Sequence, residues 1–145
     1  MEIKDLDISN INDAAKLYVE YYNNNEGSAW TFDKAYARIH KIVKVENSYS
    51  ICIYKENCLI GFIMGFIRTY DDLLSYYLDE ILVSKDEHNK NVGSMLIDKL
   101  EEELKKKNIS MIELISVNDE MHKHFYEDKH GFYLATNHVC RGKFL

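Results

Sequence analysis

Apolar and polar positions along the chain change period several times, and each change marks an element. After a short opening strand over residues 2–6, Ile8, Ile11, Ala15, Tyr18 and Tyr22 recur at helical spacing behind Ser9, a residue type suited to a helix N-cap. The polar run from Asn23 to Gly27 ends this helix, and Thr31 caps a second one whose apolar face is Ala35, Ile39, Ile42 and Val43. The period then drops to two. Residues 49–54 alternate, Lys55, Glu56 and Asn57 supply a turn, and residues 58–69 are apolar on both faces, which predicts a hairpin leading into a buried strand. Cys52, Cys58, Met64 and Phe66 lie on these strands and are expected in the core.

A further strand is predicted over residues 74–83, followed by a polar loop and a long helix carrying Val92, Leu96, Leu100 and Leu104 at helical positions. The tail of that helix is solvated, with Glu101–Lys105, Glu102–Lys106 and Glu103–Lys107 as i,i+4 pairs worth about 0.3 kcal/mol each. Residues 109–117 read as a strand, 118–129 as a shorter helix stopped by Gly131, and 132–144 as one or two closing strands. Strand, long helix, strand implies a right-handed crossover that lays 78–83 and 109–117 parallel in one sheet, with antiparallel hairpins around them. The expectation is an α/β fold, a mixed sheet with helices on both faces, in a single domain over residues 1–145.

Composition narrows the function. With 145 residues and 46% hydrophobic content, the chain can bury one core. A net charge of -6 disfavours nucleic acid as a partner, because phosphate neutralisation needs clustered Lys and Arg, and it suits a cationic small molecule better. There is no basic segment followed by an apolar run at the start and nothing near the roughly 18 apolar residues of a membrane span. A soluble, cytoplasmic protein without a membrane partner is expected. Three cysteines without Cys-x-x-Cys spacing suggest neither a disulfide framework nor a zinc ribbon. His122 and His124, two apart, would point to opposite sides of a helix, so no metal site is expected.

The informative stretch is LDEILVSKDEHNKNVGSMLIDKLEEEL, residues 78–104, where a strand feeds a polar loop that opens onto a helix. The first turn of a helix leaves four N–H groups without internal partners, and the helix dipole adds to their pull on an anion. Gly93 and Ser94 permit a close approach there. A ligand with a pyrophosphate could lay an extended arm along the strand edge near Leu82 and Val83. The alternative is that Asn91 or Ser94 only caps the helix. Neither the Walker pattern nor Gly-x-Gly-x-x-Gly occurs.

The order of elements and this loop resemble the GNAT (GCN5-related N-acetyltransferase) superfamily, in particular its small bacterial members. The family's acetyl-CoA loop reads Gln/Arg-x-x-Gly-x-Gly/Ala, and the matching residues are His88, Asn89, Lys90, Asn91, Val92 and Gly93. His88 stands for the usual Arg or Gln and Asn91 for the first glycine, a place where Asn tolerates left-handed backbone angles. FYEDKHGF at 125–132 resembles the C-terminal Phe-Tyr-Glu-Lys-x-Gly-Phe signature, WTFDKAYARI at 30–39 the substrate-side second helix, and DEILV at 79–83 the acidic fourth strand. The resemblance implies a mostly antiparallel sheet of six to seven strands with a parallel, splayed central pair.

It also implies acetyl-CoA as cosubstrate and direct transfer of its acetyl group to a primary amine. In that scheme Glu80 takes the amine proton, backbone N–H groups near Leu82 and Val83 polarise the thioester carbonyl, and Tyr126 protonates the departing thiolate. Cofactor contacts fall to Leu82, Val83, His88, Asn89, Lys90, Asn91, Val92, Gly93, Ser94, Asn118 and Tyr126. Tyr126 lies five residues before Gly131 where the family usually has four, and seven after Asp119 where the expected Asn is one earlier at Asn118; a one-residue insertion on each side would shift the register, and Phe125 in that position would leave no acid. Tyr21, Tyr22, Trp30, Tyr70, Asp71, Asp72, Tyr76 and Asp79 would rim the acceptor pocket, a mixture of aromatics and carboxylates suited to a cationic amine such as an aminoglycoside or polyamine. A protein lysine or N-terminus, a catalytically silent acetyl-CoA-binding module and a small interaction domain are the alternatives, and a homodimer is left open.

Overall fold

In the computed structural model, which describes residues 1–145, the first helix begins later than its apolar period suggests. Strand β1 covers Glu2–Asp5 and helix α1 covers Ile11–Asn25. Between them, Asp7 Oδ1 accepts from the Ser9 backbone N–H at 2.8 Å and from its hydroxyl at 2.5 Å. Ser9 is thus taken up by Asp7, Asn10 holds the N-cap position in its place, and Ile8 is left exposed outside the helix. The Asn10 side chain turns inward, donating to the Asp5 carbonyl at 2.8 Å and lying 3.4 Å from Cys52 Sγ. Helix α2, Phe32–Val43, follows its sequence signal. The Lys34 N–H donates to Thr31 Oγ1 at 3.2 Å, and Ala35 and Ile39 are buried.

Strands β2 (Ser48–Lys55) and β3 (Cys58–Thr69) form the expected hairpin. Glu56 and Asn57 both have positive φ, 50° and 63°, the combination whose twist matches that of paired strands. Strand β4 (Leu74–Val83) is antiparallel to β3, helix α3 spans Val92–Lys106, and β5 (Met111–Glu113) lies parallel to β4, so the crossover is as predicted. The sheet order is β1-β2-β3-β4-β5. Helices α1 and α2 pack on one face, in a core with Cys52, Phe62, Met64 and Leu82. Helix α3 covers the other, where Leu96 and Ile53 close over Gly61. No helix is long and apolar enough to cross a membrane.

Several expectations are corrected. The mixed sheet has five strands, not six to seven. Residues 132–144 add none, because Tyr133, Leu134 and Val139 are exposed and give the segment no buried face. The strand expected over 109–117 is cut to three residues because its ladder with β4 ends at Glu113, and Ile115 and Val117 are exposed. Cys58 is exposed at the hairpin turn and not in the core. Of the three predicted pairs on α3, Glu102–Lys106 forms at 3.1 Å, but Glu103 is engaged by Lys99 at 3.0 Å and by Lys106 at 3.1 Å. Lys107 instead lies over the Tyr49 ring, 5.2 Å from its centroid.

The elements above belong to one compact unit, Met1–Ile115, and Ser116–Leu145 forms a second. Within the second, α4 (Glu120–Lys123) starts behind Asp119, whose Oδ1 accepts from the His122 N–H at 2.8 Å and caps the helix. The helix continues as a π-helical stretch, His124–Lys129, and ends before Gly131 at φ 72°. A π turn carries one residue more than an α turn. The interval from Tyr126 to Gly131, where a surplus residue is expected, overlaps this π stretch.

Candidate active site

Strand β4 is irregular around Asp79 and Glu80. Met64 pairs with Glu80 and Gly65 with Leu78, so Asp79 is a surplus residue, a β-bulge that bends the strand and re-aims the side chains beside it. Pairing with β5 ends at Tyr77–Glu113. From Leu78 to Val83, β4 thus keeps β3 on one side and has no strand partner on the other, leaving a backbone edge that can pair with an extended ligand.

The loop after β4 is held by named contacts. Lys85–Glu87 form a 3-10 turn, and Ser84 N–H donates to the Ile60 carbonyl at 2.8 Å. His88 Nε2 lies 3.0 Å from the Val83 carbonyl oxygen, which can only accept, so Nε2 carries the proton. The same ring packs on Tyr21, 5.7 Å between centroids. Glu87 is buried between Lys55, at 3.1 Å, and Lys90, at 3.6 Å, and the hydrogen bond from Lys55 leads in holding its carboxyl below the usual range. Asn89 and Asn91 are both left-handed, with φ 62° and 63°, and Asn91 stands directly before Val92 at the start of α3. Its side chain makes no capping hydrogen bond, and the first turn of α3 has no acidic residue to neutralise the positive end of its dipole. Val92 points into the core, Ser94 is buried, Gly93 is half-buried, and Asn89 and Lys90 are exposed. A polar cleft of about 230 Å³ runs between the end of α1 and this loop, lined by Tyr21, Asn24, Ser84 and Lys85 among others.

On the α1/α2 face, Tyr22 donates a short hydrogen bond to Glu80 Oε1. Glu80 is largely enclosed, and that burial raises its carboxyl above the usual carboxylate range; the Tyr22 bond and the Arg38 charge oppose the rise, while Asp79 adds to it. Arg38 Nη2 stands 3.5 Å from Asp79 Oδ2, an enclosed atom with no hydrogen bond, so the hold between them is electrostatic. Tyr18 completes the group, 4.6 Å from the Tyr22 ring and 4.9 Å from Trp30. Its hydroxyl is pushed up to about 12, mainly by burial and then by the Glu80 charge. Arg38 lies outside the set expected from sequence. The available signal was its place in WTFDKAYARI, one residue before buried Ile39, on the helix expected to face substrate.

The structure brings together Tyr21, Tyr22, Trp30, Asp79 and Glu80 among the residues expected from sequence. It does not bring Tyr76 to a pocket rim: that ring is fully buried and its hydroxyl donates to the Tyr49 carbonyl at 2.8 Å. Tyr70, Asp71 and Asp72 sit exposed at the β3–β4 turn, where the Tyr70 hydroxyl donates to Glu113 at 2.9 Å. In the second unit, Asn118 is exposed, and Tyr126 is half-buried in the π stretch with its ring 5.1 Å from Phe125 and 5.4 Å from Phe132.

A bulged strand that leaves its parallel neighbour ahead of a helix start belongs to a fold shared with solved acetyltransferase structures. A possible acetyltransferase from Clostridium difficile 630 matches with a TM-score of 0.81 at 14% identity, covering 99% of this chain and 97% of that one. Ribosomal-protein-alanine N-acetyltransferase from Brucella melitensis biovar Abortus 2308 matches with 0.77 at 16%, covering 98% and 100%. Aminoglycoside N-acetyltransferase AAC(6')-Iy, solved in complex with CoA, matches with 0.76 at 15%, covering 98% and 93%. A search of curated protein sequences finds no match. The model of the acetyltransferase (GNAT) family matches residues 11–132. The chain belongs to this family and is an N-acetyltransferase.

Proposed function

We propose that the protein transfers the acetyl group of acetyl-CoA directly to a primary amine of a small cationic acceptor, with Glu80 as the base. The observation that carries this reading is Glu80 itself, an enclosed carboxyl on the bulged part of β4 whose affinity for a proton is raised by burial. An alkylammonium has a pKa of about 10.4 in water and attacks only after losing its proton. A carboxylate of raised proton affinity is better matched to that transfer than an ordinary one. The amine nitrogen then bonds to the thioester carbon, the oxyanion collapses, the C–S bond breaks and CoA thiolate leaves.

For the cosubstrate, the unpaired β4 edge at Leu82 and Val83 suits amides of an extended arm, and N–H groups there suit the thioester oxygen. The run His88, Asn89, Lys90, Asn91, Val92, Gly93 and Ser94 suits a pyrophosphate through its backbone, given two left-handed asparagines and a first helical turn without carboxylates. His88 serves there by tying the loop to β4 through Val83. Asn118 is assigned a contact to CoA, and Tyr126 the protonation of the thiolate. Beside the base, Asp79 is balanced by Arg38, so Glu80 is the carboxylate of this wall that meets the incoming ammonium. The half-buried rings of Tyr22 and Trp30 suit the same cation, with buried Tyr18 packed against both. The neighbour named for aminoglycosides favours a small-molecule acceptor.

The test is release of free CoA thiol from acetyl-CoA across aminoglycosides, polyamines, amino acids and lysine peptides, for the wild-type protein and Glu80→Gln. Turnover with a small amine, reduced roughly 100-fold or more in Glu80→Gln, is the expected result. Acetyl-CoA binding without turnover on any amine would instead indicate a silent binding module.

A further inference from the structure

We propose that Tyr22 is the positioning residue of Glu80, using its phenol to fix one carboxylate oxygen so that the other is presented to the acceptor amine. The inference rests on the reading of Glu80 as base and adds the residue that makes it one. The Tyr22 hydroxyl donates to Oε1 and leaves Oε2 outside that bond. Helix α1 holds the donor rigidly: Tyr18, one turn earlier, is buried and packs on the Tyr22 ring, and Tyr21 packs against it edge-on at 5.4 Å. A free glutamate rotates about its carboxyl and presents either oxygen. One held by a ring braced on two neighbours does not.

The bond has a second effect through charge. A donor to a carboxylate favours its ionised form, so Tyr22 opposes the effect of burial, which favours the protonated form of Glu80. Tyr22 can do this at any working pH, since burial and the Glu80 charge push its own hydroxyl far above the ordinary phenol value. The other groups facing this pair are Tyr18 and Tyr21 on α1, Arg38 on α2, Asp79 on β4 and Glu26 just past α1. Arg38 favours the carboxylate and Asp79 opposes it, the Arg38 charge being the larger of the two influences. The Tyr22 hydrogen bond is the leading influence in favour of ionisation.

The experiment follows the Glu80 side-chain carboxyl by 13C NMR as pH is varied in the full chain, with Glu80→Gln identifying its resonance. In Tyr22→Phe the midpoint should rise by about one pH unit, the size expected when a carboxylate loses one charge-assisted hydrogen bond. An unchanged midpoint in the folded variant overturns the proposal. Should Tyr22→Phe fail to fold, the wild-type protein answers: the ring Cζ of Tyr22 should titrate at the same midpoint as Glu80, and independent titrations overturn it. Neither readout needs an acceptor. Failure of the base reading would appear elsewhere, as undiminished CoA release by Glu80→Gln.

Discussion

A side chain at Gly65 would place its Cβ 2.5 Å from Cζ of Tyr76 and 2.1 Å from the Tyr77 carbonyl oxygen, so the Tyr76 ring fills the space that position 65 leaves empty. The ring belongs to β4, crosses over β3 at this glycine and hydrogen-bonds the β2 backbone at Tyr49. Gly65 also stands at the irregular step of the β3–β4 ladder, opposite the bulge that carries Asp79. Three strands are pinned together immediately beside the proposed base. Gly65→Ala should destabilise the fold by about 3 kcal/mol in urea unfolding, because backbone and a buried ring must both move. Gly61→Ala, where the nearest atom is 3.1 Å away, should cost clearly less. Equal losses would mean that the Tyr76 ring yields easily.

Glu80→Gln should stabilise the protein near neutral pH even as it removes the base. The folded-state carboxyl binds its proton more tightly than an ordinary glutamate with its value of 4.5, so ionising it costs stability that a neutral amide does not lose. The sign follows: below about pH 4.5 both side chains are neutral and the two proteins should melt together. As pH rises through that value toward the raised folded one, the wild-type protein should fall behind. Each 1 kcal/mol of difference appears as roughly 2–4 °C in Tm. A Tm difference that does not change with pH would show that Glu80 titrates as it does in the unfolded chain.

At Asn91, with φ 63° and ψ 15°, glycine should be accepted and a β-branched residue should not. Asn91→Val is expected to cost about 1–2 kcal/mol from the left-handed backbone alone and to raise the KM for acetyl-CoA. Asn91→Gly should leave stability within about 0.5 kcal/mol. Thermal melts with and without CoA separate the two consequences. If valine is tolerated in both respects, the loop geometry does not depend on this residue.

Tyr126→Phe should lower kcat by roughly 100-fold while CoA binding, followed by calorimetry, stays unchanged. The phenyl ring preserves the contacts to Phe125 and Phe132 and loses only the hydroxyl. Unchanged turnover would remove Tyr126 as the acid and leave it a packing residue.

Elements set by short-range chemistry are legible in the sequence. Thr31 caps α2 through a bond to the third residue on, and Glu56–Asn57 turn a hairpin with two positive φ angles that asparagine tolerates. The position of Glu80 on its strand is legible too. Less legible is the start of α1, where Asp7, Ser9 and Asn10 are all capping types, and where the inward reach of Asn10 to Cys52 spans 42 residues of sequence. The alternation of residues 109–117 reads the same with or without a neighbouring strand, so the loss of pairing after Glu113 leaves no trace in it. The Arg38–Asp79 pair has no period at all, and the bond between Tyr22 and Glu80 links positions 58 apart. The proposed base thus rests on the contacts least visible in the sequence.

The π stretch at His124–Lys129 changes how residue identities should be matched across the family. A wider turn absorbs an added residue without displacing either the Asp119 cap or the Gly131 stop, so both ends of the helix keep their own numbering. Counted forward from Asp119 or backward from Gly131, the same tyrosine falls in two different columns. For the proposed role of Tyr126 the placement of the extra residue is decisive, because a gap drawn one place away puts Phe125 in that column and takes the hydroxyl out of it.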